Sequence, residues 1–230
     1  MEKFLVISSH PDDLEFSCGG TVAKLRKDGK QVEYLIVADG SKGSHKVGFD
    51  GKKLAQLRQK EQKTAAKTLG VEKVTFLGEV DGVVENTPQL RKKLVKEIRQ
   101  AKPDVVLSFD PSSLDFENVY LAHRDHRMAA EAAFDALYPA VGSGAFFPEL
   151  LKEGIRPHQV KEIWFFATSR PNKWVDITAT IGLKLQALFC HESQLEDAKK
   201  FEEIIRKSAA KEGKQKKIKY AECFRVIDWG

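Results

Sequence analysis

No stretch of this 230-residue chain approaches the roughly 20 consecutive apolar residues of a membrane-spanning helix. Cysteine is scarce. Cys18, Cys190 and Cys223 are the only three, and no two form a C-x-x-C pair. That excludes a disulfide-stapled scaffold and fits a reducing cytosol. The first residues run straight into an apolar segment, so no secretory leader is expected and the predicted location is cytoplasmic. Internal repeats and low-complexity tracts are lacking. So are the glycine fingerprints of nucleotide binding: Cys18-Gly19-Gly20 is not a G-x-G-x-x-G, and there is no Walker lysine signature. Strong charge of one sign is lacking as well. The net charge is +5, and much of it lies between Lys199 and Lys219, where lysines are mixed with glutamates. A solvated helix face accounts for that run, and nucleic acid is not an expected partner.

What is present is an alternation of strands and helices. Phe4-Leu5-Val6-Ile7 reads as a buried strand, followed by strands at 32–38, 73–77, 104–109 and 162–167 and a closing edge strand at 224–227. Gly19-Gly20 reads as a tight turn feeding a helix over 21–27. A second helix over 52–69 carries Leu54, Leu57, Ala65 and Leu69 near one face and ends at Gly70. Thr87-Pro88 opens a third, with Leu90, Leu94, Val95 and Ile98 as its apolar stripe. An alanine-rich helix runs to Leu137, an aromatic-bearing excursion spans 139–157, and two further helices follow Asp176. Short connections between strands and helices imply a parallel sheet covered on both faces, in a single domain over 1–230.

The chemistry concentrates in two loops. His10, Asp12 and Asp13 follow the first strand, where open α/β sheets bind ligands. Histidine and aspartate are zinc ligands, and a second carboxylate can act as a base; equally, Asp12 or Asp13 could cap the next helix. His123, Asp125 and His126 follow the fourth strand. A histidine pair three residues apart is a weak signal alone, but both clusters sit after parallel strands and can converge at one sheet edge.

With His10-Pro11-Asp12-Asp13, Gly19-Gly20 and His123-Arg124-Asp125-His126 in place, the chain resembles the LmbE-like, or PIG-L-type, N-acetylglucosaminyl deacetylases. Weaker matches are Arg58-Gln59-Lys60-Glu61, Phe76-Leu77-Gly78 with Asp81, and His191-Glu192-Ser193-Gln194. The resemblance covers nearly the whole chain in the family's order. It implies a Rossmann-like three-layer α/β sandwich with a mainly parallel sheet, a Zn2+ cofactor, and removal of acetyl from an N-acetylated amino sugar as the small-molecule substrate. His10, Asp13 and His126 would be the zinc ligands and Asp12 the general base. His123 would be the general acid or the cation that steadies the oxyanion, with Asp125 holding its ring. Arg58, Glu15, Asp81 and His191 would be substrate contacts, with a surface position the alternative for Arg58, a support behind the ligands for Glu15, and a helix cap for His191. The chain departs from the family at Arg124, where many members have proline, and at Leu121, where some place a mobile tyrosine. No membrane span is expected, and a homo-oligomer stays open.

Other residues take quieter roles. Cys18 reads as a buried small hydrophobe, His158 as structural or exposed, and His45 as an exposed loop histidine with a lid as the alternative. Asp110 and Ser108, ending the fourth strand, are candidates for sugar hydroxyls. The rival activities are hydrolysis of another small acyl-amide or of a phosphoester, the latter usually needing carboxylates for two metals. A site of two histidines and one aspartate could also take iron, cobalt or nickel.

Overall fold

A computed structural model describes residues 1–44, 46–116, 118–195 and 197–229; the reading of His45 lies outside the described residues. In chain order the elements are β1 (Lys3–Ser8), α1 (Asp13–Lys27), β2 (Gln31–Ala38), α2 (Gly51–Thr68), β3 (Val74–Glu79), α3 (Pro88–Ala101) and β4 (Val105–Phe109). They continue with α4 (Val119–Ala122), α5 (Arg124–Asp135), α6 (Glu149–Lys152), β5 (Glu162–Phe166), β6 (Lys173–Asp176), α7 (Ile181–Leu188), α8 (Ala198–Lys214) and β7 (Ala221–Asp228). The seven strands form one sheet in the order β3-β2-β1-β4-β5-β7-β6. The first five are parallel, and β7 runs antiparallel to both β5 and β6.

Strand side chains alternate between two cores, as a period of two requires. Phe4, Val6, Ile36 and Leu107 pack against α1, α2 and α7, and Leu5, Ile7, Val37 and Val106 against α3 and α5. Burial on both faces is why these strands read as near-continuous apolar runs. The α3 stripe of Leu90, Leu94, Val95 and Ile98 is buried as its spacing predicts, and Thr87 Oγ1 caps the helix by accepting from Leu90 N–H.

Four sequence readings change. β7 is not an edge strand: its second half pairs with β5 and its first half with β6, a short outer strand that the sequence reading passes over. The buried face of α2 begins with Arg58, Glu61 and Gln62 rather than Leu57, which is 46% exposed. In the 139–157 excursion Phe146 is half-exposed. Buried Arg99 of α3 knits the segment down instead, donating to the carbonyls of Ala140, Val141, Ser143 and Phe146.

The fourth change concerns Gly19-Gly20, which lie inside α1 rather than in a turn. The helix starts at Asp13 and breaks at Cys18, whose φ of −143° is not helical. A break frees backbone groups on both sides, and buried ones need partners. The Glu222 carboxylate accepts the N–H groups of Gly20 (3.0 Å) and Thr21 (2.7 Å). Lys184 Nζ donates to Phe16 O (2.6 Å) and to Glu222 (2.5 Å). Glycine is required at 20 by proximity, since a Cβ there would stand 2.8–2.9 Å from three atoms of the Ile177 side chain. Ile177 is fully buried. Gly20→Ala is therefore expected to cost about 1–3 kcal/mol through overpacking, read as a lowered urea midpoint. An unchanged midpoint would show that Ile177 can give way.

Candidate active site

The chain passes from β1 to β2 and β3 on one side of the sheet and returns to β4 and β5 on the other. β1 and β4 are neighbours at that reversal. Loops leaving the carboxyl ends of such a strand pair face one crevice. The first supplies residues 9–13, the second His123, Asp125 and His126. Ser9 Oγ ties the two together by donating to Asp125 O (2.9 Å).

The rings of His10, His123 and His126 lie 4.8–5.3 Å apart, centre to centre. His10 Nε2 donates towards Asp125 Oδ2 (3.0 Å) and Asp81 Oδ1 (3.1 Å). Carboxylates only accept, so this nitrogen carries the proton. His126 Nδ1 donates to Tyr120 O (2.7 Å) for the same reason. The outward contact of each ring thus leaves the other nitrogen, His10 Nδ1 and His126 Nε2, as a ligand atom. Both converge on Asp13, at 3.6 Å and 3.2 Å from its two oxygens. Two ligand atoms on a tetrahedral zinc stand roughly 3.3 Å apart, from bond lengths of about 2.0–2.1 Å, so each of these two spacings fits. Two other groups bring one potential ligand atom per residue within 4.8 Å of one another: the three histidines, and His10 with Asp81 and Asp125. His123, however, is exposed and its Nδ1 accepts the N–H of Asp125 (3.2 Å) as the cap of α5.

Charge balance points the same way. Asp12, Asp13, Asp81 and Asp125 gather in one small volume, and Arg58, 3.1 Å from Asp12 and 4.0 Å from Asp81, is the fixed cation among them. Buried anions need compensation. Without metal it comes from Arg58 and from His10, which burial would lower but Asp125, Asp13 and Asp81 raise well above its ordinary range. A divalent cation between the same groups would take over that role. Burial would raise the Asp13 carboxyl, but the His126 and His10 rings hold it well below the usual carboxylate range. Asp81 is held down to about 2, again against burial, chiefly by His10. Asp12 goes the other way: burial pushes it up to about 6, with Arg58 opposing. A carboxyl group titrating near neutrality suits a general base. Burial and the neighbouring His126 and His10 lower His123. A neutral ring with Nδ1 accepting leaves Nε2–H available to donate, which suits the first of the two roles expected of it, general acid, better than the second, a cation.

Asp125 is likewise reassigned. Its carboxylate does not hold the His123 ring; it sits on His10 and accepts the N–H groups of Gly82 (2.6 Å) and Val84 (3.1 Å). The capping alternative for Asp12 also falls, because its side chain makes no cap bond and lies on Arg58. Asp12 instead has a φ of +95°, a strained region for any residue but glycine.

The four expected substrate contacts are all buried: Glu15 at 0%, His191 at 1%, Arg58 at 4% and Asp81 at 6% exposure. Glu15 is held between Gln62 (2.9 Å) and His191 (3.2 Å). Arg58 donates to Gly40 O (3.1 Å), Pro11 O (2.7 Å) and Asp12. Asp81 is shared between His10 and the Lys42 N–H. The two weaker motifs pack on each other, with Ser193 donating through N–H and Oγ to Glu61. Asp110 is taken up by Ser112 and Thr168, His158 donates to Pro103 O, and exposed Arg124 pairs with Glu85. Tyr120 OH hydrogen-bonds with Ser17 Oγ (2.9 Å). Gln62 and the Tyr120 carbonyl escaped the sequence reading. A backbone carbonyl leaves no trace in a sequence, but Gln62 does: it stands at helical spacing from Arg58 and Ala65 inside a buried face.

A parallel sheet with a histidine–carboxylate cluster at its switch point is the build of a metal-dependent α/β enzyme. Residues 5–137 match the family described as PIG-L, GlcNAc-PI de-N-acetylase. The sequence is 37% identical to the diacetylchitobiose deacetylase of Thermococcus kodakarensis over 99% of this chain and 84% of that protein. The chain belongs to the PIG-L (LmbE-like) family of deacetylases, amidohydrolases that act on N-acetylglucosamine-containing substrates. Among solved structures, an N,N′-diacetylchitobiose deacetylase from Pyrococcus horikoshii superposes with a TM-score of 0.92 at 33% identity, over 99% of this chain and 84% of that one. A 4-carboxy-2-hydroxymuconate hydratase from Pseudomonas putida gives 0.82 at 22% identity over 99% and 96%, a likeness of fold alone.

Proposed function

We propose that this chain is a zinc-dependent deacetylase of a small N-acetylglucosaminide, with N,N′-diacetylchitobiose as the first substrate to try. The observation that carries the reading is the convergence of His10 Nδ1, Asp13 and His126 Nε2, with Asp12 adjacent but outside the ligand set. Two imidazoles and one carboxylate are a ligand set of catalytic zinc sites. A bound zinc supplies Lewis-acid activation of water and of the amide carbonyl. Asp12 takes the proton of the attacking water. His123 donates its Nε2–H to the oxyanion of the tetrahedral intermediate. The carbon–nitrogen bond then breaks, a proton passes to the leaving amine from Asp12 or His123, and acetate and a free amino sugar result. The whole chain acts as one domain in this reading. Its support is a sheet with strands drawn from residue 3 to residue 228. No helix among the described residues is long and apolar enough to cross a membrane.

The test is primary-amine release by zinc-loaded protein from N,N′-diacetylchitobiose, N-acetylglucosamine and its malate and inositol glycosides, with a chelated sample as the blank. Release well above the blank is the expected outcome. No amine from any sugar, with turnover of a phosphoester or another acyl-amide, would replace the reading.

A further inference from the structure

The face that α2 turns to the loop after β1 carries two polar side chains, Arg58 at 4% and Gln62 at 0% exposure, that are taken up by partners inside the protein. Arg58 and Gln62 stand one helical turn apart on that face. Both grip the same peptide unit, the one joining Pro11 to Asp12. Arg58 Nη2 donates to its carbonyl oxygen at 2.7 Å, and Gln62 Oε1 accepts its N–H at 2.8 Å. The plane of that peptide is thereby pinned from both edges, and it is the peptide whose orientation sets φ of Asp12, at +95°. A non-glycine residue stays in that region only where its surroundings hold it there.

Gln62 is in turn held with a defined polarity. The Asp12 N–H can only donate, so it demands the amide oxygen. The amide nitrogen must then find an acceptor, and Glu15 Oε1 is there at 2.9 Å. The second Glu15 oxygen accepts from His191 Nε2 at 3.2 Å. Gln62, Glu15 and His191 have 0%, 0% and 1% exposure, so water does not compete for these bonds. None of the three touches the convergence of His10, Asp13 and His126.

We propose that Gln62, backed by Glu15 and His191, is a positioning residue that holds Asp12 in its strained conformation and so aims its carboxylate. This rests on Asp12 being the base, as proposed above. Loss of the Gln62 acceptor frees the peptide to rotate, relaxes φ, and swings the Asp12 side chain away, while the metal ligands and the substrate surface stay in place.

Gln62→Met keeps the length of the side chain but removes both the acceptor for the Asp12 N–H and the donor to Glu15. Gln62→Glu combined with Glu15→Gln restores every bond with donor and acceptor exchanged. On N,N′-diacetylchitobiose, the single variant is expected to lose roughly 10–100-fold in kcat, the scale of a misplaced reacting group. Its KM should stay within about twofold and its bound metal unchanged. The double variant is expected to recover most of the kcat. In Gln62→Met, exchange of the Asp12 amide proton, followed by NMR, should accelerate at least about tenfold. The proposal is overturned if Gln62→Met turns over like wild type, if its loss tracks loss of metal, or if the double variant is no better than the single. Asp12→Asn, run alongside, separates the two claims. An active Asp12→Asn removes the base assignment, whereas an inactive one beside a fully active Gln62→Met removes only the clamp.

Discussion

Asp12→Asn is expected to lower kcat roughly a thousandfold, in the middle of the range that a positioned general base contributes, while the protein keeps its metal. Asparagine preserves the shape and can still accept from Arg58, and among non-glycine residues it is one of the more tolerant of positive φ. What it removes is the capacity to take a proton. The same variant has a second signature, in stability. In the folded, metal-free protein Asp12 titrates near 6 instead of its ordinary 3.8, mainly because burial disfavours the charge. A carboxyl group raised in this way favours folding fully below pH 3.8, and that contribution is lost as pH rises through 6. The loss amounts to as much as about 3 kcal/mol, since each pH unit separating the folded from the unfolded titration is worth about 1.4 kcal/mol. Chelated Asp12→Asn should therefore resist urea better than chelated wild type at pH 8, with the advantage fading towards pH 4. A constant difference across that window would mean that the Asp12 charge is not the cause.

His126→Ala is expected to abolish the response to metal. Bound metal at a hundredfold excess over its Kd adds about 2.7 kcal/mol to the wild type, worth roughly 5–10 °C in Tm for a chain of this size. With His126 Nε2 gone, and Asp13 left facing one imidazole instead of two, that rise should vanish along with bound zinc in dialysed samples. His123→Ala discriminates between the proposed ligand set and the three-histidine cluster. It should keep the metal and the Tm rise but lose turnover, since His123 is exposed and its Nδ1 is committed to the α5 cap. If His123→Ala lost the metal and Asp13→Ala kept it, the three-histidine cluster would be the ligand set instead.

Much of this site could be read without coordinates, and the parts that could not share a cause. Runs such as Phe4-Leu5-Val6-Ile7 and the Leu90, Leu94, Val95, Ile98 stripe declare strand and helix by local periodicity. His10, Asp12 and Asp13 declare themselves by crowding reactive side chains against a strand end. Those patterns, with the resemblance they support, determined the α/β class, the two loops that carry the chemistry and the family. Tertiary structure alone decided which partner each polar atom takes. Asp125 and His10 are 115 positions apart, His191 and Glu15 are 176, and Glu222 and Gly20 are 202. A sequence that places Asp125 two residues from His123 invites pairing them, yet α5 turns the carboxylate the other way, to His10. Lys173–Asp176 has too few residues and too little apolar pattern to announce a strand, and exists as β6 because β7 pairs with it. The resemblance makes Arg58, Glu15 and His191 substrate contacts, and nothing in the sequence says what partners they take. Here each is offered complementary partners inside the protein, and a buried charge that is paired and hydrogen-bonded can remain there. Local pattern thus determined where the reactive groups lie, and long-range packing decided which partners each of them takes.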